Sequence, residues 1–108
     1  MTIRFHDRHE RIDYLKASEV ARRIVADPSM IDDAKCFVAR RMAPDPHQRE
    51  YATIWNDLLS RSPAEIATAL TEDSPRGRLL RETAPVFGNG LTSREVAGLI
   101  AHGNAATP

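Results

Sequence analysis

Four pairs in which Asp or Ser precedes Pro divide much of the chain into segments of helical length. They are Asp27-Pro28, Asp45-Pro46, Ser62-Pro63 and Ser74-Pro75. The side-chain oxygen of Asp or Ser can accept a hydrogen bond from a free backbone N–H at the start of a helix. Pro fits the first helical position because no partner is needed there for its missing N–H. No segment between the pairs alternates in the way that marks a strand, so the sequence predicts an all-α fold.

Apolar residues recur at helical spacing between these pairs. The clearest case is Tyr51 to Leu59, where five large apolar residues, including the only Trp, fall at positions i, i+3, i+4, i+7 and i+8. We predict that this segment is the central core helix, that Asp45-Pro46 opens it, and that Gln48 is the capping-box partner. The other predicted helices are Asp13 to Ala26, Pro28 to Met42, one from each Ser-Pro pair, and a last one from a capping box at Thr92 and Glu95 to a stop at Gly103. The predicted buried face of the first consists of Tyr14, Ala17, Ala21, Ile24 and Val25, and the inward stripe of the second of Ile31, Ala34, Val38 and Met42. The result is a compact single-domain bundle of five or six short helices over residues 1–108, with 1–11 and 103–108 loose.

The composition argues against several classes of protein. The chain has 108 residues with 15 basic and 15 acidic side chains, whereas proteins that bind nucleic acid through its phosphates are usually clearly basic. The single cysteine, Cys36, cannot form an internal disulfide, which predicts a reducing cytoplasm as its compartment. No apolar run is long enough to cross a membrane. The charged N-terminus lacks the apolar centre of a signal peptide.

Three groups of polar side chains are candidates for catalysis or metal binding. They are the terminal group His6, His9 and Glu10, the thiol of Cys36, and the carboxylates of Asp32 and Asp33. In a helix His6 would share a face with His9 or Glu10, as metal ligands can, but the site needs further ligands and the group is better interpreted as a solvated terminus. The thiol lies inside a predicted helix, so we expect it to be buried and structural. The two carboxylates point about 100° apart on a helix. We predict no enzyme, no metal and no cofactor.

A dense group of basic side chains, with two apolar residues after it, is the candidate surface for a partner. Its members are Arg76, Arg78, Arg81, Pro85 and Phe87. An arginine cluster beside an exposed aromatic ring has the chemistry of a binding hot spot. The alternative is a solvated face with internal pairs, such as Arg78 with Glu82 one helical turn later. A separate interpretation of the same loop is that Val86 and Phe87, both apolar, pack into the body of the protein.

A helix-turn-helix regulator is the second hypothesis for function. The segment from Leu91 to Ile100, LTSREVAGLI, resembles the first helix of regulators of the excisionase or MerR kind. Only eight residues follow it, which is too few for a recognition helix. Ala64 to Leu70 followed by Pro75 to Glu82 has the right order and a basic second helix. Its turn, TEDS, is acidic and therefore unfavourable beside phosphate.

The later half of the chain also carries a longer pattern. It consists of Trp55, Leu58, Leu59, Asp73-Ser74, Leu80-Arg81, Thr83, Pro85, Phe87, Gly88 and Leu91. In these residues the chain resembles small, largely uncharacterised bacterial all-helical proteins, although Val86 separates a Pro and a Phe that would be adjacent there. The resemblance covers about half of the chain and implies a place in two-gene modules of the toxin–antitoxin kind. We therefore predict a non-enzymatic interaction protein, such as an antitoxin or inhibitor that neutralises a toxin or enzyme encoded nearby.

Overall fold

Five α-helices make up most of the structure, a computed structural model that describes residues 8–87, 94–98 and 101. The helices are α1 (Arg8–Ala26), α2 (Ser29–Phe37), α3 (Arg49–Leu59), α4 (Pro63–Leu70) and α5 (Pro75–Thr83). A π-helix, Val38–Met42, continues α2, and residues 94–98 are also helical. The described ranges contain no strand, so the predicted all-α bundle is confirmed.

The two Ser-Pro pairs start helices as predicted. The hydroxyl of Ser62 accepts a hydrogen bond from the N–H of Glu65 at 3.2 Å. The hydroxyl of Ser74 accepts one from the N–H of Gly77 at 3.0 Å. In both helices Pro occupies the start of the first turn, where its fixed φ suits a helix. These local signals therefore place α4 and α5 correctly.

The Asp-Pro pairs form turns ahead of their helices. The prediction that Asp45-Pro46 opens the core helix directly is wrong, because α3 begins only at Arg49. The carboxylate of Asp45 accepts the N–H of His47 at 2.9 Å, and Gln48 makes no side-chain cap. In the same way Asp27 accepts the N–H of Ser29 at 3.2 Å. An Asp side chain that bonds two residues ahead stabilises a turn in place of a helix.

The first helix starts earlier than predicted. It begins at Arg8 and not at Asp13, so residues 8–11 belong to α1 and are not loose. The carboxylate of Glu10 accepts a hydrogen bond at 2.9 Å from Nε of Arg78 in α5, which ties the start of α1 to the bundle. The predicted loose segments 1–7 and 103–108 lie outside the described residues, as do Thr92 and Gly103 at the ends of the last predicted helix.

The core lies where α1, α2, α3, α4 and α5 converge, with the indole of Trp55 inside it at 0% exposure. The predicted inward stripe of the second helix is confirmed, since Ile31, Ala34, Val38 and Met42 are all buried. Cys36 is exposed, so the prediction of a buried thiol is wrong. It follows Ala34 by two residues and therefore lies about 200° away around the helix.

The arrangement of the helices determines where a site can form. Helix α1 lies mainly along α4 and also contacts α5, while α3 packs against the π-helix. The end of α1 departs from prediction, because Val25 is 54% exposed although it was placed on the buried face. In the described part of the chain no helix combines the length and apolar character that a membrane span requires.

Candidate functional site

A groove of about 510 Å³ opens between α1, the end of α5 and the segment that follows α5. On the α1 side it is lined by Asp13, Lys16 and Val20, and on the other side by Arg81, Glu82 and Val86. Pro85, Phe87 and Val96 also contribute to its walls. The groove is therefore built by residues from both ends of the sequence, and only the folded chain brings them together.

The segment 84–87 alternates between outward and inward side chains. The backbone of Ala84 is extended, with ψ of 135°, and successive side chains of an extended chain point to opposite sides. Pro85 and Phe87 are buried, the latter at 4% exposure, while Val86 is 61% exposed. The expectation that Phe87 packs into the body is therefore confirmed, and the exposed ring that the hot-spot interpretation requires is not present. The expectation of a buried Val86 is wrong.

The ring of Phe87 anchors this segment to the core. It meets the indole of Trp55 edge to face, with 6.1 Å between the ring centroids and 72° between the planes. The indole Nε1–H also donates to Oγ1 of Thr83 at 3.1 Å, at the end of α5. Such aromatic pairs add stability beyond the burial of their area. Val86 is thus presented to solvent from a segment that is fixed on both sides.

Arg81 is held by backbone carbonyls and by an aromatic ring. One guanidinium nitrogen donates to the carbonyl of Leu70 at 3.1 Å and to that of Glu72 at 2.9 Å. The guanidinium also lies 5.3 Å from the centroid of the Tyr14 ring, within the range of a cation–π contact. Arg81 therefore binds backbone carbonyls at and after the end of α4, and it also lines the groove.

The other two predicted arginines lie elsewhere. Arg78 pairs with Glu10 of α1, and the predicted pair with Glu82 is not observed. Arg76 is exposed and borders a shallow hollow beside α3 and α4. Of the predicted partner-binding residues, the structure thus brings Arg81, Pro85 and Phe87 to the groove and separates Arg76 and Arg78 from it. Whether any of the five binds a partner stays a prediction.

An ion-pair network joins α1 to the helical segment 94–98. Glu19 accepts hydrogen bonds from Nε of Arg22 at 3.2 Å and from Nε of Arg23 at 3.0 Å. Arg23 also pairs with Glu95. The hydrogen bond from Arg22 is the largest cause that lowers the pKa of Glu19 to about 2; partial burial opposes it and the bond from Arg23 adds to it. Glu19 therefore remains charged over almost the whole pH range.

We expect the Glu19→Gln variant to lose a contribution to stability that depends on pH. The folded state lowers the pKa of Glu19 from its ordinary 4.5 to about 2, so the contribution is complete above the ordinary pKa and disappears as the pH falls toward 2. Urea denaturation of the wild type and of Glu19→Gln at several pH values gives the two urea midpoints. The difference between these midpoints should become smaller as the pH falls below 4.5. An exposed carboxylate on α2 provides the control, Asp33→Asn. A gap between wild type and Glu19→Gln that stays constant with pH would contradict the expectation.

The remaining candidates for chemistry do not assemble in the described part of the chain. Glu10 is engaged by Arg78, whereas His6 and the side chain of His9 lie outside the description. No group of three or more potential metal ligands occurs among the described residues. Asp32 and Asp33 are exposed on the first turns of α2, where carboxylates are favoured by the helix dipole.

The helix-turn-helix alternative can be placed on α4 and α5. The two helices are consecutive and pack together. Two of the three arginines of α5 are already engaged, Arg78 by a carboxylate and Arg81 by backbone carbonyls. Phosphate contacts need free cationic side chains. The structure therefore makes DNA binding through α5 less favourable than the sequence alone indicates. The hypothesis stays a prediction.

Comparisons of the chain with protein-family models, with curated proteins and with solved structures found no match. The geometry of the groove is therefore the basis for a proposal about function.

Proposed function

We propose that the protein is a non-enzymatic interaction module that binds a partner protein in the groove between α1 and the segment 84–87. The observation that carries this proposal is Val86, a branched apolar side chain that is 61% exposed at the groove. Its two neighbours, Pro85 and Phe87, are buried. A segment that is already ordered loses little conformational freedom when it binds, and this favours affinity.

The charges along the groove indicate what kind of partner it suits. Lys16 and Arg81 are basic, and Asp13 and Glu82 are acidic. A polyanion would be repelled by the two carboxylates, whereas a folded protein can place complementary groups opposite each charge. An apolar centre with a charged rim is also the usual anatomy of a protein–protein interface. We therefore propose that an apolar side chain of the partner packs against Val86.

The proposal extends to an antitoxin or inhibitor role in the cytoplasm. This extension is supported by the resemblance in the later half of the chain, which includes Trp55 and the segment 83–91. Phe87 and Thr83, both part of that pattern, are the residues that fix the segment against Trp55. In this role the protein would occupy a toxin or enzyme encoded nearby and block it sterically.

The Val86→Glu variant is expected to bind the partner about tenfold or more weakly, because a charge would replace the apolar centre of the interface. The matched control is Val25→Glu, since Val25 is the other exposed large apolar side chain of the described residues. Neither change should alter the urea midpoint appreciably, because both side chains are exposed. The measurement is co-purification from the native operon, followed by a titration with the recovered partner. A protein that always purifies alone, or equal binding by both variants, would rule out the groove as the site.

A further inference from the structure

Three arginines form a second charged surface away from the groove. Arg40 and Arg41 lie on the π-helix and Arg49 is the first residue of α3; we call these three residues the arginine patch. All three side chains are exposed. None of them borders the groove between α1 and the segment 84–87. Their charge therefore needs a separate explanation.

The arginine patch differs from the other arginines in how its charge is compensated. Elsewhere in the described residues, ion pairs with carboxylates are formed by Arg22, Arg23, Arg61 and Arg78. Within the described part of the chain, no member of the arginine patch forms such a pair. A zero net charge over the whole chain thus conceals a local excess of positive charge at this surface.

The fold holds the three arginines at one end of a helix pair. Val38 and Met42 are buried, and Arg40 and Arg41 project outward between these two anchors. The backbone then turns through hydrogen bonds from the N–H of Ala43 to the carbonyl of Val38 at 2.8 Å and from that of Asp45 to Met42 at 3.1 Å. Helix α3 packs against the π-helix, and the turn of residues 43–48 connects the end of the π-helix, with Arg40 and Arg41, to Arg49 at the start of α3.

We propose that the arginine patch is a second docking surface, which binds an acidic segment of a protein partner. The planar guanidinium of Arg can donate two parallel hydrogen bonds to a carboxylate. Three such groups at one end of the bundle can orient a partner and accelerate its association. This surface acts independently of the groove.

An acidic protein segment suits the arginine patch better than nucleic acid does. Glu50 is exposed directly after Arg49, and Asp45 lies half-buried in the connecting turn. The closely spaced phosphates of a duplex would meet these carboxylates as well as the arginines. Proteins that bind nucleic acid through phosphates are also usually basic overall. A protein segment can place its carboxylates opposite the arginines alone.

The test uses a fluorescently labelled oligoglutamate and a DNA duplex of equal charge as probes. The variant of the arginine patch is Arg41→Glu with Arg49→Glu, and the matched control is Arg76→Glu with Arg94→Glu. All four residues are exposed, and both double variants change the net charge equally. We expect the patch variant to bind oligoglutamate about tenfold more weakly than wild type, with the control variant close to wild type. Circular dichroism should show that both variants stay folded.

Three results would overturn the proposal. If both double variants bind oligoglutamate with equally reduced affinity, the binding depends only on the overall charge of the protein. If the wild-type protein does not bind oligoglutamate at about 50 mM salt, the arginine patch is not a docking surface for acidic segments. Tighter binding of the duplex than of oligoglutamate, lost in the patch variant alone, would assign the surface to nucleic acid. The Val86→Glu variant should bind oligoglutamate like wild type, so a failure of the arginine patch is distinct from a failure of the groove.

Discussion

Replacing Trp55 with alanine is expected to lower the free energy of unfolding by about 3–5 kcal/mol. The indole is fully buried, so its removal leaves a cavity in the middle of the bundle. The change also deletes the edge-to-face contact with Phe87 and the hydrogen bond to Thr83. For a small domain, such a loss is a large fraction of the total stability.

The measurement is urea denaturation followed by far-UV circular dichroism, since Trp55 is the only Trp and the variant has no indole fluorescence. Trp55→Phe is the control, because it keeps an aromatic ring near Phe87 but loses the hydrogen bond to Thr83. Its expected cost is smaller, about 1–2 kcal/mol. If the Trp55→Ala protein is as stable as wild type but fails to bind its partner, Trp55 belongs to an interface and not to the core.

The second large effect is expected at Gly77, in the first turn of α5. A Cβ atom at this position would lie 2.1 Å from the carbonyl oxygen of Glu72, well inside van der Waals contact. The neighbouring atom belongs to the backbone of the turn before α5, where the N–H of Ser74 bonds to the same carbonyl at 3.1 Å. Gly77→Ala should therefore destabilise the protein by about 1–3 kcal/mol, although Ala is the better helix former by about 1 kcal/mol.

Gly98 provides the matched control for this prediction. It also lies in a helical segment, but among the described residues no atom from outside this segment approaches within 4 Å of the position that its Cβ would occupy. Gly98→Ala should be neutral or raise the free energy of unfolding by up to about 1 kcal/mol. Urea denaturation of both variants separates the two cases. An unchanged midpoint for Gly77→Ala would mean that the turn at 71–74 moves aside freely.

Much of the fold could be predicted because its signals are local. A Ser side chain reaches only the N–H groups of the next few residues, so Ser62-Pro63 and Ser74-Pro75 specify helix starts by themselves. The stripe from Ile31 to Met42 predicts a buried face for the same reason. The same reasoning failed at Asp45-Pro46, where the Asp side chain stabilises a turn and α3 starts later. Both outcomes are allowed by the chemistry of Asp.

The candidate site was harder to predict because it depends on residues that are distant in sequence. Glu10 and Arg78 are 68 positions apart, and no periodic pattern tells which carboxylate will meet which arginine. Arg78 was therefore predicted to bind a partner or to pair with Glu82, whereas the fold pairs it with Glu10. One signal for the groove was present in the sequence. Pro85 favours extended backbone before it, and alternation along an extended chain turns Val86 away from the side that holds Phe87.

The contact between Phe87 and Trp55 gives the protein an intrinsic optical probe. Indole emission depends on the groups that surround the ring, and two of these groups, Phe87 and Thr83, flank the segment that presents Val86. Any partner that shifts this segment also changes the surroundings of the only indole in the chain. If such a partner binds, its occupation of the groove can be followed in the unlabelled wild-type protein through the buried indole of Trp55.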